Sequence, residues 1–210
     1  DSFYEGKKLR LKQQYFFVSA GVQSILSHYK KHIGDVRTFH QKVAIHINDT
    51  HPTLVIPELM RILLDEEGLS WDEAWRITKN TVSYTNHTIL AEALEKWPVE
   101  MFKELLPRIY MIINEINERF CKKLWKSYEG QWEKISRMAI IANDEIRMAH
   151  LAIVGSHSVN GVAKLHSEIL KKEEMKDKLK AIWRILRAKS YFYTVHIGDS
   201  FVSDHEIGNQ

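Results

Sequence analysis

Two polar segments that contain histidine carry most of the chemistry this sequence offers. The first is Ala-Ile-His-Ile-Asn-Asp-Thr-His-Pro at residues 44–52, and the second is Ser-Tyr-Thr-Asn-His-Thr-Ile-Leu at residues 83–90. Each is typical of a short strand that ends in a polar turn before a helix, and α/β sheets bind ligands in such strand-to-helix crevices. We therefore expect the two turns to face one pocket.

The residues of these turns allow several interpretations. His46, Asp49 and His51 have a spacing that metal ligands can adopt, since imidazole and carboxylate groups bind zinc and iron. That interpretation is weak, because His46 and Asp49 point to opposite faces of a strand unless the turn begins between them. In a second interpretation Asp49 and His87 form hydrogen bonds to a polyhydroxylated ligand. In a third, both only cap the helices that follow, and the residues alone favour this one.

Familiar nucleophile and phosphate-binding motifs are not found. Gly-Ser-His-Ser at residues 155–158 lacks the Gly-x-Ser-x-Gly frame of a nucleophile elbow, and Cys121 lies among lysines without an evident base. The sequence has no G-x-G-x-x-G or G-x-x-x-x-G-K loop, which argues against dinucleotide-binding and P-loop enzymes. Gly155 and Gly161 flank a polar segment where we expect the backbone to approach a neighbour closely.

Composition limits the class of protein further. The chain has 210 residues, 44% of them hydrophobic, and its 30 basic and 27 acidic residues are interspersed, which favours a mixed solvated surface over a nucleic-acid groove. It has no apolar run of about eighteen residues and no signal-peptide pattern, so we expect no membrane partner. A single cysteine suits a reducing compartment, and we expect the cytoplasm. The first residue is not methionine, so we expect a piece of a longer protein.

Hydrophobic periodicity predicts a helix-rich chain with a few strands. The predicted elements are a long amphipathic helix over residues 8–31, a buried strand over 43–47, a helix from Pro57 to about 68, a helix that begins at a Ser70–Glu73 capping box, a strand over 81–85, a short helix over 101–106 and a long helix over 109–128. The alternation of strand and helix implies parallel strand pairing. The apolar runs 139–141 and 148–154 are too short to assign.

Five segments resemble a known family. They are Lys-Lys-Leu-Arg-Leu-Lys-Gln-Gln-Tyr-Phe at 7–16, Ile-Asn-Asp-Thr-His-Pro at 47–52, Tyr-Thr-Asn-His-Thr at 84–88, Glu-Ala-Leu-Glu-Lys-Trp-Pro at 92–98 and Val-Asn-Gly-Val-Ala-Lys-Leu-His-Ser at 159–167. In order and spacing they resemble the glycogen, starch and maltodextrin phosphorylases. The resemblance implies an α/β, helix-rich fold, a partial Rossmann-like glycosyltransferase domain with long helices and few parallel strands.

The resemblance also implies a domain division. Residues 1–172 resemble the N-terminal and inter-domain region of a phosphorylase. After residue 172 the family pattern Asn-Gly-Ile-Thr-Pro-Arg-Arg-Trp does not follow. We therefore predict that residues 173–210 are an atypical tail, formed by a charged helix and a strand over 190–197.

The activity implied by the resemblance is phosphorolysis of the terminal α-1,4 bond of a glucan or maltodextrin, which releases glucose 1-phosphate. The family uses the 5′-phosphate of pyridoxal phosphate to exchange a proton with the substrate phosphate. In the family the cofactor lysine and the phosphate cradle lie in the C-terminal domain, and we find no counterpart of either in this chain. We expect a homodimer at full length and an inactive chain alone. The alternative is a non-catalytic helical module that binds glucan or a protein.

Site residues follow from the resemblance motif by motif. His87 matches the family histidine that hydrogen-bonds the 6-hydroxyl of the glucosyl unit, and Asp49 matches the aspartate that lines the same sugar site. We expect both to bind substrate, with no catalytic, cofactor-binding or metal-binding residue in this chain. His51, Asn86 and Thr88 lie beside them in the matching motifs, and we expect these three at most to support the two binding residues from behind. Asn160 and His166 match a segment that we expect to be helical and to pack domains together.

Overall fold

The computed structural model describes residues 3–87, 94–161 and 195–196. Its helices are α1 (Tyr4–His32), α2 (Val55–Arg61), α3 (Trp71–Thr81), α4 (Val99–Leu105), α5 (Pro107–Ser127), α6 (Trp132–Met138) and α7 (Met148–Gly155). Its strands are β1 (Ile45–Asn48), β2 (Val82–Asn86), β3 (Lys96–Pro98), β4 (Ile141–Ala142), β5 (Glu145–Arg147), β6 (Ser158–Gly161) and β7 (Val195–His196). A 3₁₀ helix spans Val36–Gln41, and a π-helical turn, Ile62–Glu66, continues α2.

The central sheet is parallel and has the strand order β6-β2-β1-β7. Ile45 of β1 lies opposite Val82 of β2, and Asn48 lies opposite Thr85. The parallel pairing expected from the alternation of strand and helix is therefore confirmed, as is the helix-rich α/β class. Because these strands run the same way, the carboxyl ends of β1, β2 and β6 lie at one edge of the sheet.

A smaller antiparallel sheet of order β3-β5-β4 is formed by strands that lie in the sequence between β2 and β6, and it was not expected. Trp97 of β3 pairs with Ile146 of β5. A two-residue turn joins β4 to β5, and both of its residues, Asn143 and Asp144, have positive φ angles of 54° and 57°. Two positive φ angles are the mark of a tight hairpin turn with the twist that strands need, and Asn and Asp adopt them more readily than most residues.

The helices predicted between residues 8 and 128 are confirmed, with small shifts of their ends. α1 buries Leu11, Val18, Val22 and Tyr29, which belong to the predicted apolar stripe. At the start of α3, Ser70 and Glu73 form the predicted capping box: the Glu73 amide donates to the Ser70 hydroxyl, and the Ser70 amide donates to the Glu73 carboxylate. The third residue of α2 is Pro57, which is tolerated because the first turn of a helix has no intrahelical acceptor for its amides.

The expected helical environment of Asn160 is wrong. Asn160 lies in β6, opposite Thr85 of β2. Four residues are too few for periodicity to distinguish strand from helix, and the neighbouring strand that pairs with them decides the conformation. His166 and Thr88 lie outside the described residues. In the predicted tail the structure describes Val195 and His196, which pair in parallel with β1, and the division at residue 172 stays a prediction.

The core is built around α2, which is buried on all sides and packs against α1, α3 and α5. Its Ile56 touches the backbone of α7 so closely that a Cβ added to Gly155 would lie 2.5 Å from the Ile56 Cδ1 atom. The close approach expected at Gly155 is therefore confirmed. Of the helices in the described ranges, none combines the length and the apolar composition that crossing a bilayer requires.

One charged residue, Glu58, lies in the middle of this apolar helix with no exposed surface. Arg61 donates two hydrogen bonds to its carboxylate, each 2.9 Å long. Two residues of α1 also donate to it, the Tyr15 hydroxyl at 2.9 Å and the Ser19 hydroxyl at 2.7 Å. Burial and the neighbouring Glu58 raise the pKa of Tyr15 to about 12, so the phenol stays a donor. The carboxylate therefore joins α1 to the core.

We predict that Glu58→Gln lowers the free energy of unfolding by about 3 kcal/mol, because it removes the buried counter-charge of Arg61 and leaves only the half-exposed Glu66, at 2.8 Å, to offset it. Urea unfolding of the purified protein measures the change. The matched control is Glu104→Gln, which removes the same charge from a half-exposed pair with Lys8 at 2.6 Å and should leave the unfolding midpoint nearly unchanged. Equal effects of the two substitutions would contradict a structural role for Glu58.

Candidate functional site

The two polar turns lie side by side at the carboxyl edge of the sheet. Asp49 follows β1 and His87 follows β2, and the amide of Asp49 donates to the carbonyl oxygen of Thr85 at 3.0 Å. The Nε2 atom of His87 hydrogen-bonds the Oδ1 atom of Asn48. His87 is exposed, so its ring lies at the opening of the crevice between the strands.

Asp49 has an unusual backbone conformation that the turn explains. Its φ angle is 66°, in the left-handed region that Asp tolerates because its short side chain bonds to nearby backbone. Its Oδ1 atom accepts a hydrogen bond from the amide of Thr50 at 2.7 Å. Helix α2 begins later, with Leu54 at its N-cap position, so Asp49 does not cap that helix and the capping interpretation of Asp49 is wrong. Its side chain remains about one third exposed (35%).

Glu95 is the site residue that the interpretation of the turns missed. Its Oε2 atom accepts a hydrogen bond from the Thr50 hydroxyl at 2.9 Å, and its Oε1 atom accepts one from Gln14 at 2.8 Å. Its side chain is 12% exposed. Thr50 and Glu95 are far apart in the chain, so no local pattern joins them. The only available signal was the position of Glu95 in the segment 92–98 that resembles phosphorylases.

His51 lies between two carboxylates. Its Nε2 atom is 3.9 Å from Asp49, and its Nδ1 atom is 3.7 Å from Glu95. The guanidinium of Arg10, on α1, lies 3.5 Å from the same Nδ1 atom. The side chain of His51 is 55% exposed. The turn after β1 therefore carries an acidic, solvent-accessible group of side chains, with Arg10 as the adjacent cation.

His46 belongs to a different polar network from Asp49 and His51. Its Nε2 atom lies 2.6 Å from the Thr85 hydroxyl, and that hydroxyl donates to the Oδ1 atom of Asn160 at 2.7 Å. Because the hydroxyl proton goes to Asn160, His46 is the donor to Thr85. The network links β1, β2 and β6. In the described part of the chain, no group of three His, Cys, Asp or Glu side chains has the geometry to hold a metal ion.

Tyr84 adds a buried hydroxyl below the acidic group. The residue is 1% exposed, and its hydroxyl has no hydrogen-bond partner among the described residues. Burial raises the pKa of Tyr84, and the carboxylates of Asp49 and Glu95 raise it further. The phenol therefore keeps its proton close to those carboxylates. Asn86, at the end of β2, is also buried, while Thr88 lies outside the described residues.

The two residues considered as nucleophiles lie away from this edge. Ser156 has no exposed surface. The thiol of Cys121, on α5, donates to the Oδ1 atom of Asn117 at 3.7 Å, and burial raises its pKa, which favours the unreactive thiol. Asn117 also accepts from the amides of Ile140 and Ile141, so the cysteine belongs to a structural contact between α5 and the start of β4.

Comparison with known proteins gives one family. The model of the carbohydrate phosphorylase family matches residues 1–189, past the boundary predicted at residue 172. The glycogen phosphorylase of Bacillus subtilis (strain 168) is 64% identical over 177 residues, and glycogen phosphorylase 2 of Dictyostelium discoideum is 58% identical over 174 residues. The muscle form of glycogen phosphorylase from Homo sapiens is 52% identical over 188 residues.

These alignments cover most of the chain but a small part of each relative. They cover 84% of the chain for the Bacillus subtilis and human proteins and 81% for the Dictyostelium protein. The corresponding shares of the relatives are 22%, 22% and 18%, so the chain spans about a fifth of their length. Since the family model matches far more than half of the sequence, the chain belongs to the carbohydrate phosphorylase family.

Proposed function

We propose that the protein carrying this sequence is an α-1,4-glucan phosphorylase, which cleaves the terminal α-1,4 bond of a glucan with phosphate and releases glucose 1-phosphate. The 210 residues of this chain contribute part of the glucosyl-binding side of its active site. The observation that carries the proposal is the adjacency of Asp49 and His87, joined through Asn48, at the carboxyl edge of the sheet. The proposal also rests on the names of the relatives, which are glycogen phosphorylases.

The chemistry of the two side chains suits binding of sugar hydroxyls. With Asn48 Oδ1 as its partner, the Nε2 atom of His87 carries the ring proton, and the Nδ1 atom is left to accept a hydrogen bond from a hydroxyl. One oxygen of Asp49 is used by the Thr50 amide, and the other is open to accept from a second hydroxyl. We infer that the 6-hydroxyl of the glucosyl unit is the partner of His87. Both residues bind and orient the sugar, and neither transfers a proton.

Glu95 supports this arrangement by holding the turn that carries Asp49. Its carboxylate accepts from Thr50, the next residue, and from Gln14 on α1, so the turn is tied to a long helix. A turn with a left-handed residue is otherwise free to relax, and a loosened carboxylate binds its ligand less well. We propose that Glu95 is a positioning residue for Asp49.

The residues around Asp49 do not fit a phosphate or a phosphate-bearing cofactor. Asp49 and Glu95 are both carboxylates, and Arg10 is the adjacent cation, close to His51. A phosphate dianion at this position would be repelled. We therefore propose that pyridoxal phosphate, its lysine and the phosphate cradle belong to another part of the longer protein.

By the same family resemblance, we propose that the full-length protein is a homodimer in the cytoplasm.

The first test compares the 210-residue chain with the full-length protein. Each is incubated with maltodextrin, phosphate and pyridoxal phosphate, and glucose 1-phosphate is measured. We expect release by the full-length protein and none by the chain, because the phosphate side of the reaction lies elsewhere. Turnover by the chain alone would overturn the proposed division of the active site, and inactivity of both would favour the non-catalytic binding module.

The second test replaces His87 with alanine in the full-length protein. The expected result is a fall in kcat/KM of about tenfold to a hundredfold, on the order of 1–3 kcal/mol, because one hydrogen bond to a buried sugar hydroxyl is lost. His28→Ala, at an exposed position on α1, is the control and should leave kcat/KM unchanged. An unchanged kcat/KM in the His87 variant would remove that residue from the sugar site.

The third test concerns Glu95. Thr50→Val and Glu95→Gln each weaken the link between the turn and Glu95, so each should lower kcat/KM for glucan by about tenfold through a misplaced Asp49. If Glu95 positions Asp49, the effects of Thr50→Val and Glu95→Gln are not additive in the double variant, because both substitutions break the same contact. Glu67→Gln, which removes a carboxylate paired at 2.6 Å with Lys30 in the last turn of α1, is the control. Fully additive effects would contradict the shared contact.

A further inference from the structure

A wide groove lies between α3 and the C-terminal half of α5, with α6 at one end. Its volume is about 940 Å³, and four tryptophans line it: Trp71, Trp75, Trp125 and Trp132. It shares no residue with the acidic group around Asp49 at the sheet edge. Neither the resemblance nor the proposed glucan chemistry uses it, so its composition needs a separate explanation.

The aromatic walls of the groove are partly open to solvent. The rings of Trp125 and Trp132 contact each other at an interplanar angle of 36°, with their centroids 4.3 Å apart, and 68% of Trp132 is exposed. The Arg119 guanidinium of α5 lies 4.9 Å from the centre of the Trp71 ring of α3. Trp and Arg are the residues most enriched among those that dominate the energy of protein interfaces. Exposed aromatic surface of this kind typically marks a binding site.

The charges in the groove are unbalanced. Its lining has five cationic side chains, Lys79, Arg119, Lys122, Lys123 and Lys126, and three anionic ones, Asp72, Glu115 and Glu118. Arg119 pairs with Glu115 at 2.6 Å and with Asp72 at 3.2 Å. Within the described ranges none of the four lysines has an ion-pair partner. With five positive and three negative side chains, the lining has a net charge of +2.

Lys79 lies deepest among these cations. Burial, and then the like charge of Lys123, lower the pKa of Lys79 to about 8. An ammonium that is removed from water and faces a second ammonium is unfavourable, and an anion placed between the two would relieve both effects. The bottom of the groove is thus electrostatically suited to an acidic group, while its walls are suited to apolar side chains.

We propose that this groove binds an acidic peptide segment of a partner protein, with the carboxylates of the segment near Lys79 and Lys123 and an aromatic or aliphatic side chain against the tryptophan walls. Charge complementarity favours this occupant. A glucan is neutral and would leave the lysines without counter-charges. A nucleic acid has a negative charge at every nucleotide, which is more than a lining with a net charge of +2 offsets. The proposal is independent of the sugar site.

The test uses the full-length protein and a fluorescein-labelled synthetic peptide in which glutamates surround a pair of phenylalanines. Fluorescence anisotropy measures its affinity. We expect binding that weakens with salt, and a loss of about tenfold or more when the glutamates of the peptide are replaced by glutamines. The variant Lys79→Gln/Lys123→Gln should lose a similar factor.

The control variant Lys31→Gln/Lys42→Gln removes the same charge at exposed positions outside the groove and should change the affinity by less than about twofold. Lys122→Gln/Lys126→Gln, at exposed positions, tests the groove again if the deeper pair disturbs folding. Three results would overturn the proposal: no binding to the full-length protein, equal affinity for the glutamine peptide, or affinity that neither lysine pair alters.

Discussion

The parallel pairing of β1 with β2 is the constraint on which the rest of the site depends. In the observed register Asn48 lies opposite Thr85, and the ladder continues one residue further through the Asp49 amide. Parallel strands end at the same edge of a sheet, so the polar turns that follow them are forced together. A slip of one residue would reverse the faces of all side chains on one strand and would separate Asp49 from His87.

Helix α1 holds this edge in place through two carboxylates on other elements. Gln14 donates to Glu95, and Tyr15 and Ser19 donate to Glu58 in the buried helix α2. A buried carboxylate is unfavourable unless donors surround it, so both contacts select one position of α1 along the core. Glu95, which binds the turn after β1, is therefore positioned by the same helix that packs against the hydrophobic interior.

The charge distribution divides the molecule into two regions of different chemistry. The sheet edge is acidic, with Asp49 and Glu95 on either side of His51. Such a surface accepts hydrogen bonds from neutral hydroxyls and disfavours phosphate. The groove beside α5 is basic and aromatic, with Lys79 and Lys123 close together. The two regions therefore suit different ligands: the sheet edge suits neutral hydroxyls, and the groove suits anionic groups.

The sequence by itself determined the elements whose signals are local. The stripe of α1, the capping box at Ser70 and the strands that precede Asp49 and His87 all follow from spacing within a few residues, because helix and strand periods place side chains on one face. The resemblance motifs added the family and the two sugar-binding candidates. The short strand at Asn160 was misjudged, since four residues do not distinguish a strand from a helix.

Only the tertiary structure decided which distant residues meet. It brought Glu95 to Thr50, replaced the helix-capping role of Asp49 by a bond within its own turn, and gathered Lys79 and Lys123 from separate helices into one groove. These contacts join residues far apart in the chain, and their geometry depends on how whole helices and strands pack. The sequence pattern indicates which face of each helix or strand is apolar. The packing of those faces against one another decides which side chains share a site.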